Sequence, residues 1–262
     1  NAVLIFAGAG SGKTRVLTHK IAYLIEKNIY APENILALTF TNKAAKEMIE
    51  RSSKILKKKS LPLKIGTFHS ICAFILRKEA KHINLSPNFV IYDVQDQLDL
   101  LKIILNDLNV SKSILSPNNA RNIISSLKNR MIFPDSQIKK ARTNFEKIIA
   151  ETYKSYQISL RYNEALDFDD LILLPLELFD SHPSVLDKYQ EIWKYILVDE
   201  YQDTNKPQFQ FLKRLSNKYK KICVVGDDDQ SIYGWRGAEI NNILDFKKNF
   251  YWMRYIQIRK KL

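Results

Sequence analysis

Apolar and polar positions follow two regimes along the chain. Five short, nearly continuous apolar runs, at 3–6, 35–40, 63–67, 195–199 and 222–226, each end in small or polar residues. Such runs predict strands buried on both faces, the habit of a parallel sheet. Between the first two, Val16, Leu17, Ile21, Leu24 and Ile25 recur at helical spacing; after the second, Ala44, Ala45, Met48, Ile49 and Leu56 do the same. Strand, helix, strand, helix, strand predicts a doubly wound α/β layer.

The pattern changes at 93. From there to 178 no strand-like run is visible, whereas Leu98, Leu101, Ile104, Leu105 and Leu108, then Ile123, Ile124 and Leu127, repeat at helical spacing. This predicts an all-helical insertion, 93–178, that splits an α/β domain into 1–92 and 179–262. Pro117 and Pro134 sit just before helical stretches, where a missing N–H is tolerated.

Candidate chemistry concentrates in the loops after the predicted strands. Ala7-Gly8-Ala9-Gly10-Ser11-Gly12-Lys13-Thr14 joins a strand to a helix and has the form of a phosphate-binding loop with Ala in its first position. Small residues let backbone N–H groups curl around a β-phosphate, and the helix adds the positive end of its dipole. Lys13 is placed to bridge the β- and γ-phosphates and Thr14 to coordinate Mg²⁺. A Gly-rich turn that only packs helix on strand fits this context poorly.

The run 195–199 supplies the second half of such a site. It ends in Asp199 and Glu200, with Asp199 pointed toward the metal and Glu200 placed to polarise an attacking water. The segment 224–237 follows the last strand and carries Gln230, a neutral amide suited to sensing the γ-phosphate. The same segment holds Tyr233, Trp235 and Arg236, rings beside a guanidinium that stack on unpaired bases. Two further loops, with Phe40, Thr41 and Asn42 and with Thr67 and His69, combine hydroxyls, an aromatic and a hydrogen-bonding side chain. Single-stranded nucleic acid requires that mixture, although Thr41 or Asn42 also suits a helix cap.

Composition narrows the class. The 262 residues include 41 Lys plus Arg and 28 Asp plus Glu, a formal charge of +13. A polyanionic partner is one explanation of that excess and plain solvated lysine the other. Lys247, Lys248, Arg254, Arg259, Lys260 and Lys261 carry six of the charges, so 13 − 6 leaves +7 elsewhere. The cluster Lys54, Lys57, Lys58 and Lys59 reads as a solvated helix end. Cys72 and Cys223 lie in separate apolar runs, which predicts buried free thiols in a reducing compartment, and the cytoplasm is the default location. No run approaches the roughly 18 apolar residues of a membrane span. A first residue other than Met predicts that Asn1 is not the natural start.

Together the segments AGAGSGKTRVL, ALTFTNKAAKEM, GTFHS, ALDFDDLI, ILVDEYQDTN and VVGDDDQSIYGWRGA resemble, in order, the motifs of the UvrD/Rep-like superfamily 1 DNA helicases. The resemblance covers roughly 2–250. It implies a RecA-like P-loop NTPase domain carrying a helical insertion, ATP and Mg²⁺ as cofactors, and single-stranded or partly duplex DNA as partner. It further implies 3′ to 5′ translocation in repair or replication, completed by a second RecA-like half. It supports Lys13, Thr14, Asp199, Glu200 and Gln230 in the nucleotide roles, adds Arg15 near the adenine and Asp203 in coupling the two sites, and supports Phe40, Thr67, His69, Tyr233, Trp235 and Arg236 against DNA. Three family features do not match: a glutamine segment before Asn1, an arginine segment after Phe250, and the second RecA-like domain. The expectation is therefore a domain that hydrolyses ATP slowly and does not unwind alone. Alternatives are a degenerate or split-gene remnant, a nucleotide kinase and a pure DNA-binding module.

Overall fold

The computed structural model describes residues 2–8, 12–58, 61–227, 246, 250 and 253–258. The strands are β1 (Ala2–Ala7), β2 (Ile35–Thr39), β3 (Lys64–Thr67), β4 (Val90–Ile91), β5 (Ala165–Leu166), β6 (Tyr195–Val198), β7 (Ile222–Gly226) and β8 (Met253–Ile258). The helices are α1 (Lys13–Glu26), α2 (Asn42–Leu56), α3 (Phe68–Glu79), α4 (Val94–Asp107), α5 (Pro117–Asn129), α6 (Pro134–Lys140), α7 (Asn144–Tyr162), α8 (Phe168–Ser181), α9 (Pro183–Ile192) and α10 (Lys206–Ser216). The chain divides into two compact units, Asn1–Ile71 with Phe179–Leu262, and Cys72–Leu178.

The first unit is built on a parallel sheet of order β3-β2-β6-β7-β1-β8. All five predicted apolar runs are strands of this sheet. β2, β6 and β7 are buried at every position, which is why they read as continuous rather than alternating. From α1, Leu17, Ile21, Leu24 and Ile25 pack against Ile5, Ala37, Leu197 and Val225 of the sheet. Each such side chain removed from water contributes about 1.5–3 kcal/mol. On α2 the apolar face is narrower than its sequence indicates: Ala45 and Met48 are buried, but Ile49 is 43% exposed. Lys54, Lys57 and Lys58 are exposed around the end of α2, the solvated helix end that their clustering predicts.

One strand of the sheet escapes the apolar pattern. β8 runs parallel to β1 from Ala2↔Met253 to Ala7↔Ile258. Its sequence interleaves Arg254 and Gln257 with apolar residues, so it forms no continuous run. Cys72 and Cys223 are buried free thiols, and burial pushes the Cys223 thiol up to about 11.

The second unit is mainly helical. Leu101, Ile104 and Leu105 of α4, Ile124 and Leu127 of α5, and Ile149, Tyr153, Tyr156 and Leu160 of α7 form its core. Pro117 and Pro134 open α5 and α6. The unit is not wholly helical, because β4 and β5 pair in parallel at Val90↔Ala165 and Ile91↔Leu166. Strands of two residues are too short to leave a period in the sequence. The unit also reaches back to Cys72, before the 93 that the change of pattern marks, because Ala73 and Leu76 of α3 pack with Phe89, Leu166, Leu171 and Leu174.

An ion cluster lies within this second core. The Lys128 side chain is fully buried and donates to Asp167 Oδ2 at 2.6 Å and Asp170 Oδ1 at 2.8 Å. The Tyr156 hydroxyl donates to Asp167 Oδ2 at 3.2 Å. Burial opposes the Asp167 charge, but Lys128 together with hydrogen bonds from the Asp170 N–H and the Tyr156 hydroxyl outweighs it and holds that carboxyl below its usual range. Burial and the Asp167 charge push Asp170 up to about 6. Among the described residues no helix is long and apolar enough to cross a membrane.

Candidate functional site

Because the strands are parallel, the loops that follow them gather along one edge of the sheet. The register aligns the ends: Thr39 pairs with Thr67, Leu38 with Val198, Val198 with Val224, and Gly226 with Phe6. β7 lies between β1 and β6. Asp227, the residue after β7, therefore emerges between the end of β1 and the Asp199–Glu200 pair.

Gly12 has φ 87°, in the left-handed region, and as the N-cap of α1 it offers no side chain to close the first turn. A glycine suits that conformation, and the N–H groups of a helix's first turn attract an anion. Lys13 is 8% exposed, yet its Nζ reaches Glu200 Oε2 at 3.0 Å across 187 positions of sequence. Thr14 Oγ1 donates to Asp199 Oδ2 at 2.9 Å. Asp199 is buried; its backbone N–H donates to the carbonyl of Leu38, and Asp199 Oδ1 accepts from the Glu200 N–H at 3.1 Å. Burial, opposed by the Thr14 hydrogen bond, raises the Asp199 carboxyl above its usual value. Glu200 itself has φ 49°, a left-handed conformation that costs a non-glycine residue about 1–2 kcal/mol and turns its carboxylate toward Lys13.

A residue absent from the sequence reading completes this arrangement. Gln202, 1% exposed in the short 3-10 turn Tyr201–Asp203, donates from Nε2 to Glu200 Oε2 at 2.8 Å and accepts the Asp227 N–H on Oε1 at 3.0 Å. Its one sequence signal is position, two residues after the acidic pair. Asp203 is buried in the same turn. Arg15 is exposed on the first turn of α1, and its carbonyl accepts from Thr18 Oγ1 at 2.9 Å.

The two loops matched to nucleic acid are both at this edge. Thr41 is the N-cap of α2, accepting from the Ala44 N–H at 3.1 Å, while Asn42 is the first helical residue, so capping falls to Thr41. Phe40 is half-buried against Phe68, ring centres 5.6 Å apart. Thr67 Oγ1 accepts from the Ser70 N–H at 3.2 Å at the start of α3, and His69 is half-buried beside it in sequence. Thr41 and Asn42 are exposed at this edge. Ala9, Gly10, Ser11, Gln230, Tyr233, Trp235 and Arg236 lie outside the described residues, and Ala7 and Gly8 end β1 and begin the loop.

The donor set fits magnesium and nucleotide. A hydroxyl and a carboxylate held 2.9 Å apart offer the hard oxygen ligands that Mg²⁺ takes together with phosphate oxygens. A nearly buried ammonium at a helix N-terminus capped by glycine suits a phosphate chain.

Comparison with known proteins agrees with this geometry. A family model for the UvrD/REP helicase N-terminal domain matches residues 1–251. The ATP-dependent DNA helicases PcrA of Staphylococcus epidermidis and Staphylococcus aureus are each 49% identical to the chain over 248 residues, covering 95% of it and 34% of the relative. The chain thus spans about a third of the length of these relatives. The parallel sheet flanked by helices is the RecA-like arrangement that the resemblance implies.

Proposed function

The chain belongs to the UvrD/REP helicase family, and from that membership we propose that it is the ATP-binding and hydrolysing domain of a DNA translocase. The observation that carries this reading is the joining of two distant sequence halves, Lys13 to Glu200 and Thr14 to Asp199, at one sheet edge. Thr14 and Asp199 would hold the magnesium, which would supply positive charge against the phosphate oxygens. Lys13 leaves Glu200 for the β- and γ-phosphates, and Arg15 lies toward the adenine. Bound Mg·ATP supplies the electrophilic phosphorus and its leaving group. Glu200 takes the proton of the attacking water on its carboxylate, and Gln230 senses the γ-phosphate.

Phe40, Thr41, Asn42, Thr67 and His69, with Tyr233, Trp235 and Arg236, form the track for single-stranded or partly duplex DNA. Movement is 3′ to 5′, serves repair or replication in the cytoplasm, and requires a second RecA-like half. Closure of two domains on ATP drives such a motor. The 262 residues alone therefore hydrolyse ATP slowly and do not unwind. A remnant without activity is disfavoured by the intact set of Lys13, Thr14, Asp199 and Glu200.

Titration with a fluorescent ATP analogue and phosphate release with and without single-stranded DNA test the reading. The chain is expected to bind Mg·ATP and to release phosphate faster with DNA, and Lys13→Ala to abolish both. No binding by the unaltered chain overturns the reading, and strand displacement by it overturns the claim that it does not unwind. Hydrolysis indifferent to DNA points to a small-molecule kinase.

A further inference from the structure

We propose that Gln202 is a positioning residue that fixes the Glu200 carboxylate for hydrolysis by tying it to the Asp227 peptide at the end of β7. The proposal rests on the hydrolase reading above and concerns a positioning residue of the same site.

Burial of a side-chain amide is costly unless both of its ends are paired. Gln202 is 1% exposed and both ends have partners. The partners also fix its orientation. Oε1 accepts the Asp227 N–H at 3.0 Å, so Nε2 faces Glu200 Oε2 at 2.8 Å. The reverse orientation sets carbonyl against carboxylate and NH₂ against N–H, two repulsive contacts in place of two attractive ones. The amide is planar and rigid, so a displacement of the Asp227 peptide at one end is transmitted to the carboxylate at the other.

Glu200 Oε2 holds two donors in this structure, Lys13 Nζ and Gln202 Nε2. They differ in reach. Lys13 has a long flexible stem and is called away by phosphate, whereas Gln202 is walled in. Once Lys13 departs, Gln202 keeps Oε2 occupied, leaving Oε1 as the free acceptor for water.

Two measurements on the 262-residue chain test the relay. Gln202→Met keeps the length and removes both hydrogen bonds. It is expected to bind a fluorescent ATP analogue within about threefold of the unaltered chain, while single-turnover hydrolysis falls about 10–100-fold, the scale seen when a group orienting a reacting residue is lost. A purely structural role makes affinity and rate fall together, and that result, or a rate within about twofold of the unaltered chain, overturns the proposal. Hydrogen exchange needs neither folding of this variant nor catalysis. Glu200→Ala is expected to speed exchange of the Asp227 amide by releasing Gln202, and unchanged exchange there overturns the tie. Failure of the unaltered chain to bind nucleotide sinks the hydrolase reading instead, and leaves the exchange result to judge the tie.

Discussion

Thr14 Oγ1 and Asp199 Oδ2 are hydrogen-bonded at 2.9 Å although 185 positions separate them in sequence. The bond joins the first turn of α1 to the end of β6, the two places from which magnesium ligands come in a phosphate-loop site. Thr14→Val keeps the branched shape and removes the oxygen. Fluorescent-analogue titrations in magnesium and in EDTA are expected to show a wide affinity gap for the unaltered chain. For Thr14→Val the gap narrows, with affinity in EDTA changed by less than about twofold, since the phosphate-binding backbone and Lys13 remain. An undiminished magnesium effect sinks the assignment of Thr14.

Glu200 separates binding from chemistry. Its carboxylate pairs with Lys13 at 3.0 Å, but its proposed work is to take a proton. Glu200→Gln retains the shape and loses the base. Single-turnover phosphate release is expected to fall about 10²–10⁴-fold, the usual contribution of a general base. Nucleotide affinity is expected to hold or rise, because Lys13 no longer has a carboxylate to leave. Equal losses in affinity and rate argue for damage to the site and against a proton-transfer role.

Phe40 offers the sharpest test of the DNA track among the described residues. Its half-buried ring packs against Phe68, and the loop it occupies lies at the same edge as Thr67. Stacking of one base on such a ring contributes about 1–3 kcal/mol. Phe40→Ala is expected to weaken oligo(dT) binding in fluorescence anisotropy by about 5–150-fold, the same range expressed as a ratio, without altering the salt slope. A changed slope with unchanged affinity assigns the loop to phosphate contact rather than stacking.

The parts of the fold and site that the sequence discloses share one property, the locality of their signal. Lys13 and Thr14 sit in an eight-residue loop bounded by a strand and a helix, and Asp199 and Glu200 end an apolar run, so a short window identifies each. Gln202 carries no such mark. Its importance comes from Glu200 in a left-handed turn and from the Asp227 N–H, 25 residues away. Lys128 is similar: it lies in the polar string Lys128-Asn129-Arg130, and its burial follows from Asp167 and Asp170, 39 and 42 residues on. β8 stays hidden because Arg254 and Gln257 interrupt it, and β4 and β5 because two residues make no period. Long-range pairing, rather than local propensity, decides each of these.

The buried cluster in the second unit makes stability depend on pH in a way that separates its two carboxylates. Asp167 is held below its ordinary 3.8, so its contribution persists until the pH falls beneath that value. Asp170, pushed up to about 6, behaves oppositely. It takes up a proton in the folded state before the unfolded chain does, so the folded state gains stability as pH falls from about 6 toward 3.8. Asp170→Asn removes that uptake and leaves an amide oxygen facing Lys128. The melting temperature of the unaltered chain minus that of Asp170→Asn is expected to rise as the pH is lowered from about 7 to about 4.5, because ionised Asp170 is penalised only at the upper end. Lys128→Met, by contrast, strands two buried carboxylates and is expected to destabilise by about 3–5 kcal/mol near neutral pH. Scanning calorimetry across this range, applied to both variants, checks the two signs together. A difference between the unaltered chain and Asp170→Asn that stays flat or falls toward acid pH shows that the Asp170 carboxyl ionises freely in the core.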